Sequence, residues 1–156
     1  MRVRRFSLVA SLMLAAFSAS TQRAAAQGNK QAINPPNARP GGPPLSSAVR
    51  VGNLVFLSGA LGTKPGGGGL ADGGIEGQTR QALENVKASA GLAGVTMADI
   101  AKCTVFLTDV ANFQAMNGVY KEFFPTEPPA RTTVAVAGLV VPGALLEIEC
   151  IAAAKK

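Results

Sequence analysis

One arginine, Arg131, stands inside an otherwise uncharged run, Pro129-Ala130-Arg131-Thr132-Thr133-Val134. A guanidinium presents paired donors in a rigid fork that matches a carboxylate, so this side chain could grip a small acid in one orientation. The alternative is a solvated or structurally paired cation at a strand edge. Nearer the C-terminus, Leu145-Leu146-Glu147-Ile148-Glu149-Cys150 alternates strictly, which points Glu147 and Glu149 to one face of a strand and Leu146, Ile148 and Cys150 to the other. Two carboxylates on one face are ordinarily wet. If another subunit covers that face, each needs a partner or a task, because burying a lone charge is expensive. The chain has no histidine, which removes Ser-His and Cys-His nucleophile arrangements and leaves too few ligands for a catalytic zinc. Its two cysteines, Cys103 and Cys150, lie in apolar, strand-like runs. A buried thiol pair is the simpler reading, and a disulfide needs an approach of the two Cα atoms that spacing does not fix.

The elements that must position these groups follow from periodicity. Ser46–Val51 and Leu54–Ser58 read as antiparallel strands around Gly52-Asn53, a pair suited to a II′ turn. The stretch 62–74 contains four consecutive glycines and reads as a mobile loop. Gly66, Gly68 and Ala71 match a dinucleotide-type G-x-G-x-x-A pattern there. The loop is too long for a tight strand-to-helix turn and no Gly-Lys-Ser/Thr follows, so a phosphate cradle is rejected. From Ile75 to Ala90, the spacing of Thr79, Leu83, Val86 and Ala90 makes an apolar helical stripe opposite Glu76, Arg80, Glu84 and Lys87. Gly91 is the expected stop. Thr96 and Asp99 stand in capping-box relation before a strand over Ala101–Leu107. A second helix spans Ala111–Phe124, with Phe113, Met116, Tyr120 and Phe123 as its core stripe and Pro125 as its end. Strands over Arg131–Ala137 and Ala144–Ala153 complete the order ββαβαββ, an α+β arrangement with a single sheet under two helices.

Ahead of this domain, Arg2, Arg4 and Arg5 precede an uncharged run to Ser20, and Ala24-Ala25-Ala26 fits the small-residue rule for leader cleavage. Residues 1–26 therefore read as a signal peptide, and the protein as exported to the periplasm or beyond. The apolar run is shorter than the ~20 residues of a spanning helix, so no stable membrane association is expected after cleavage. Residues 27–44, rich in Asn, Pro and Gly, read as a flexible linker, and residues 45–156 as one small domain whose size favours subunit association. Losing the leader removes four arginines and no acid, so the net charge falls from +6 to +2. That balance lacks the basic stripe of a nucleic-acid partner.

Taken together, these segments resemble the Rid (YjgF-like) family of reactive intermediate and imine deaminases. The resemblance runs from about Pro44 to Ala153. It rests on Pro129-Ala130-Arg131 followed by Val134, Ala137 and Leu139, and on Leu146-Glu147-Ile148-Glu149. Val51–Gly59, Gln78–Val86 and Asn117–Phe124 add to it. The resemblance implies a chorismate-mutase-like fold, a homotrimer with sites between neighbouring subunits, and a cofactor-independent, metal-free hydrolysis of 2-iminobutanoate- or 2-iminopropanoate-type acids to 2-keto acids and ammonia. It implies that Arg131 binds the substrate carboxylate and Glu147 holds or activates water, with Ser58, Gly59, Asn117 and Thr133 lining the pocket. Two positions depart from the family pattern: Leu45 replaces a tyrosine after Gly-Pro, and Thr133 replaces a cysteine two residues after the arginine. A lost phenol changes the ligand's hydrogen-bonding surroundings, which points to a shifted substrate preference or to binding without turnover. A carboxylate-binding or holdase-like trimer is thus the alternative from another class. Ribonuclease, an activity reported for some relatives, is a third reading that the mature charge argues against.

Overall fold

In the computed structural model, residues 30–38 and 44–155 are described. The proposed leader, residues 1–26, lies outside them. The sheet contains β1 (Lys30–Ile33), β2 (Ala48–Val51), β3 (Leu54–Leu61), β4 (Ile100–Leu107), β5 (Ala130–Ala135) and β6 (Leu146–Ala153) in the order β1-β2-β3-β6-β4-β5. All neighbours are antiparallel except β4 and β5, which are parallel. The helices α1 (Gly74–Leu92) and α2 (Phe113–Phe123) pack on each other, and α1 also packs on β2, β3 and β6. From β2 onward the order is the ββαβαββ expected from periodicity.

The core is the seam between helices and sheet. Thr79, Leu83, Val86 and Ala90 of α1 are fully buried, as are Val105, Leu146 and Ile148 on the strands beneath. In α2, Met116 and Tyr120 are buried, with Phe113 and Phe123 packed against the same cluster. Between β2 and β3, Gly52 alone of the two turn residues has positive φ (61°), as a II′ turn requires. The capping box at Thr96 and Asp99 forms, and a 3-10 turn over Met97–Asp99 leads into β4. The first helix runs past Gly91 to Leu92, and Gly94 supplies the left-handed residue (φ 68°) beyond its end.

Three features differ from the sequence expectations. The segment assigned to a linker contains β1, paired with β2 through Lys30↔Val51 to Ile33↔Ala48. Its residues are mostly exposed, with only Ile33 packing on the core, so backbone pairing and not an apolar pattern makes this strand. The glycine-rich loop is fastened and not loose: Lys64 N–H donates to the Gly69 carbonyl and Ala71 N–H to that of Gly62, both at 2.8 Å. Asn85 of α1 ties it down by donating to the carbonyls of Leu61 and Thr63, each at 2.9 Å. Finally, Cys103 and Cys150 face each other across β4 and β6 and form a disulfide, with Cα atoms 4.1 Å apart.

Among the described residues, no helix covers the second face of the sheet. Leu54 and Phe56 are 41% and 42% exposed on it. The register sets Leu61, Glu147, Phe106 and Val134 side by side across β3, β6, β4 and β5. A carboxylate therefore stands in an apolar row that no described helix covers.

Candidate active site

Arg131 is the second residue of β5, beside Cys103 of β4. The strand's alternation turns Arg131 and Thr133 toward the helices, while Thr132 on the open face accepts a hydrogen bond from Lys102. The Arg131 guanidinium carbon lies 4.6 Å from the centre of the Tyr120 ring and 5.7 Å from that of Phe113. Those residues are two turns apart on α2, which puts both rings on one helical face. The side chain is half-buried, and no carboxylate pairs with it among the described residues. It opens onto a recess of about 380 Å³ lined by Asn117, Tyr120, Lys121, Phe124, Pro128 and Pro129. Asn117 thus shares one recess with Arg131, three residues before Tyr120 on the same helix.

Two buried hydroxyls beside this cation have no hydrogen-bond partner among the described residues, Tyr120 Oη and Thr133 Oγ1. Burial pushes the Tyr120 phenol up to about 12, against the pull of the Arg131 charge, which favours the phenolate. The phenol is therefore neutral beneath the guanidinium at physiological pH.

Glu147 belongs to a second cluster. Its carboxylate lies over Gly59: a Cβ at that glycine would fall 1.9 Å from Glu147 Oε1. The approach is possible because β3 bulges between Leu57 and Ala60, where Ser58 and Gly59 face the single residue Glu149 of β6. Ser58 is held by its own hydroxyl, which donates to the Ser46 carbonyl at 2.6 Å. Leu45, where the family pattern has a tyrosine, is 63% exposed just before this contact.

Within one chain the two clusters do not meet. Arg131 and Thr133 face the helices, whereas Glu147 and Gly59 face the open side, and β4 lies between the strands that carry Arg131 and Glu147. Sequence reasoning assigned Tyr120 and Phe113 to the core stripe and missed their place under the arginine. Helical spacing signals burial, but it does not reveal what a buried ring touches.

Comparison with known proteins identifies the family. The family model described as Endoribonuclease L-PSP matches residues 37–154. The chain belongs to the YjgF/Rid family. Over 109 residues it is 41% identical to the chloroplastic Reactive Intermediate Deaminase A of Arabidopsis thaliana, covering 70% of this chain and 58% of that protein. It is 40% identical over 109 residues to a 2-iminobutanoate/2-iminopropanoate deaminase of Capra hircus, covering 70% and 79%. The E. coli YjgF gene product superposes on this Rid-family fold with a TM-score of 0.72 at 35% identity, over 80% of this chain and 99% of that one. Strand β1 precedes the matched residues.

Proposed function

We propose that this Rid-family protein hydrolyses small 2-imino acids to 2-keto acids and ammonia, as a homotrimer whose sites lie between protomers. The observation that carries the proposal is Arg131: a half-buried cation lying over two aromatic rings, without an acidic partner among the described residues, at the mouth of a recess. Such a fork is matched by a carboxylate. Glu147 has the complementary feature, a carboxylate in an apolar row on a sheet face that no helix covers among the described residues. A second protomer seated on that face brings its arginine pocket to this glutamate, so neither chain has a complete site alone. The goat relative's name, 2-iminobutanoate/2-iminopropanoate deaminase, supports the same reaction, and the Arabidopsis relative's name supports deamination more generally.

The chemistry is modest. An enamine acid tautomerises to the imine, with its carboxylate held by Arg131 and positioned by Asn117 and the shielded hydroxyl of Thr133. Water adds to the carbon bearing nitrogen as Glu147 takes a proton, and the bulge at Ser58-Gly59 offers backbone groups to the developing adduct. Glu147 returns that proton to nitrogen, giving the neutral tetrahedral adduct, which then collapses: the hydroxyl proton passes to nitrogen through the same carboxylate, the C=O bond forms as the C–N bond breaks, and ammonia leaves with the keto acid remaining. Imines already hydrolyse in water, so orientation plus one proton acceptor is adequate assistance, and no metal or cofactor enters this scheme.

The test is release of ammonia and keto acid from an imine generated in situ by an amino-acid oxidase. Arg131→Lys should lower kcat/KM by about ten- to a hundredfold, because a point charge cannot reproduce the fork. Glu147→Gln should preserve carboxylate binding while lowering kcat by about a hundredfold or more. Unchanged rates in both variants would refute the site. Carboxylate binding without turnover in the wild type would establish the binding-module alternative, and RNA cleavage that weakens with salt would establish the ribonuclease one. We further propose that the protein is exported. The buried disulfide supports this, since such bonds persist in oxidising compartments. Protein recovered outside the cytoplasm should begin at Gln27, and a full-length cytoplasmic product would overturn export.

A further inference from the structure

We infer that Tyr120 is a positioning residue for substrate binding: its ring is the shelf that fixes the plane of the Arg131 guanidinium, with Phe113 as a second support. The inference rests on the carboxylate-binding role proposed above for Arg131 and names what sets its geometry. Arginine carries several rotatable bonds, and an unpaired guanidinium at the rim of a recess would otherwise sample many orientations. Here an ion pair does not hold it, because no acid contacts it among the described residues. What touches it is aromatic. Tyr120 Cγ-to-Cζ ring atoms lie beneath it at 4.6 Å centroid distance, and Phe113 flanks it at 5.7 Å.

The shelf is itself rigid. Tyr120 is 4% exposed and sits on α2 against the core, with the Phe124 ring 4.7 Å away at a 36° tilt. A carboxylate in place of the ring would also hold an arginine, but it would satisfy the fork and compete with the substrate's own carboxylate. An aromatic face attracts the cation and leaves the in-plane N–H donors free. The neutral phenol keeps this property where a phenolate would not. The choice of an aromatic partner thus reconciles two demands, an ordered cation and an unoccupied fork.

The hydroxyl is not what the shelf requires. It has no partner among the described residues, so the ring alone carries the proposed role. This separates the expected behaviour of two substitutions. Tyr120→Leu removes the π face and should raise KM for the imine roughly three- to thirtyfold, with kcat much less affected. Tyr120→Phe keeps the face and should restore KM to within about twofold of wild type. A merely structural role would lower the active fraction and hence apparent kcat, leaving KM in place.

The experiment is steady-state kinetics of the full chain and both variants, paired with NMR of the Arg131 Nε–Hε group, assigned by its disappearance in Arg131→Lys. The wild-type and Tyr120→Phe resonances should share a ring-current-shifted position that Tyr120→Leu loses. An Arg131 resonance and a KM that are the same in Tyr120→Leu as in wild type would overturn the inference. Should Tyr120→Leu fail to fold, Phe113→Leu removes the more distant ring, and a smaller shift of both readouts in the same direction is expected; no shift in either would overturn it. If the wild type hydrolyses no imine, the proposed function fails, whereas the NMR arm still decides the positioning role because it needs no turnover.

Discussion

At Gly59 the side chain is absent for want of room, not for want of backbone freedom. A methyl group there would collide with Glu147 Oε1 at 1.9 Å, and Gly59 is not among the residues with positive φ. The far end of a glutamate can swing aside, so Gly59→Ala should fold. It should do so with the carboxylate displaced from the bulge. If Glu147 receives the water's proton, a displacement of this size is expected to lower kcat by about a hundredfold while KM changes little, because the arginine proposed to hold the carboxylate in that cleft belongs to the neighbouring protomer and is unchanged. Steady-state imine hydrolysis of Gly59→Ala checks this. A wild-type kcat would mean that the position of Glu147 over Gly59 has no bearing on the chemistry.

Among the elements, α1 does more than supply an apolar stripe. Gln78 is 5% exposed and faces the strand β6 approach: its amide donates to the Gly143 carbonyl at 3.2 Å and its oxygen accepts from Leu145 N–H at 2.9 Å. That pair of bonds fixes where β6 begins, and hence the register of Glu147 two residues later. Gln78→Leu should leave both backbone groups unsatisfied and destabilise the fold by about 1–3 kcal/mol, read as a lower denaturation midpoint. An unchanged midpoint would show that water replaces the amide. The stripe of α1 was legible because burial recurs every three to four residues, and the alternation of β6 correctly separated Glu147 from the core side. Gln78 was not legible, since its partners lie more than sixty residues away. Strand β1 was hidden for a different reason: an exposed edge strand is made by backbone pairing, which leaves almost no side-chain pattern. The ordering of the glycine tract was hidden likewise, because the amide that fastens it belongs to Asn85 on the following helix. Arg131 could be singled out from its setting, but the rings beneath it come from a helix whose stripe reads simply as core.

For the molecule as a whole, the decisive fact is that one chain separates the groups its proposed chemistry needs. Arg131 faces the helices and Glu147 the open side, with a strand between their own. In the proposed homotrimer, each cleft would take its arginine from one protomer and its glutamate from the next, and the exposed Leu54 and Phe56 would gain cover in the same contact. This arrangement predicts complementation between two crippled chains. Arg131→Ala and Glu147→Gln homotrimers should each be nearly inactive. When the two are unfolded together in equal amounts and refolded, clefts that pair an intact arginine with an intact glutamate reappear with a probability of about one quarter under random assembly. Hydrolysis should recover to that fraction of the wild-type rate, with light scattering reporting a trimer throughout. A site contained within one protomer would give no recovery, since every chain in the mixture lacks one of the two groups. Monomeric scattering with retained activity would be equally fatal, because a single chain keeps the two side chains on opposite faces of its sheet.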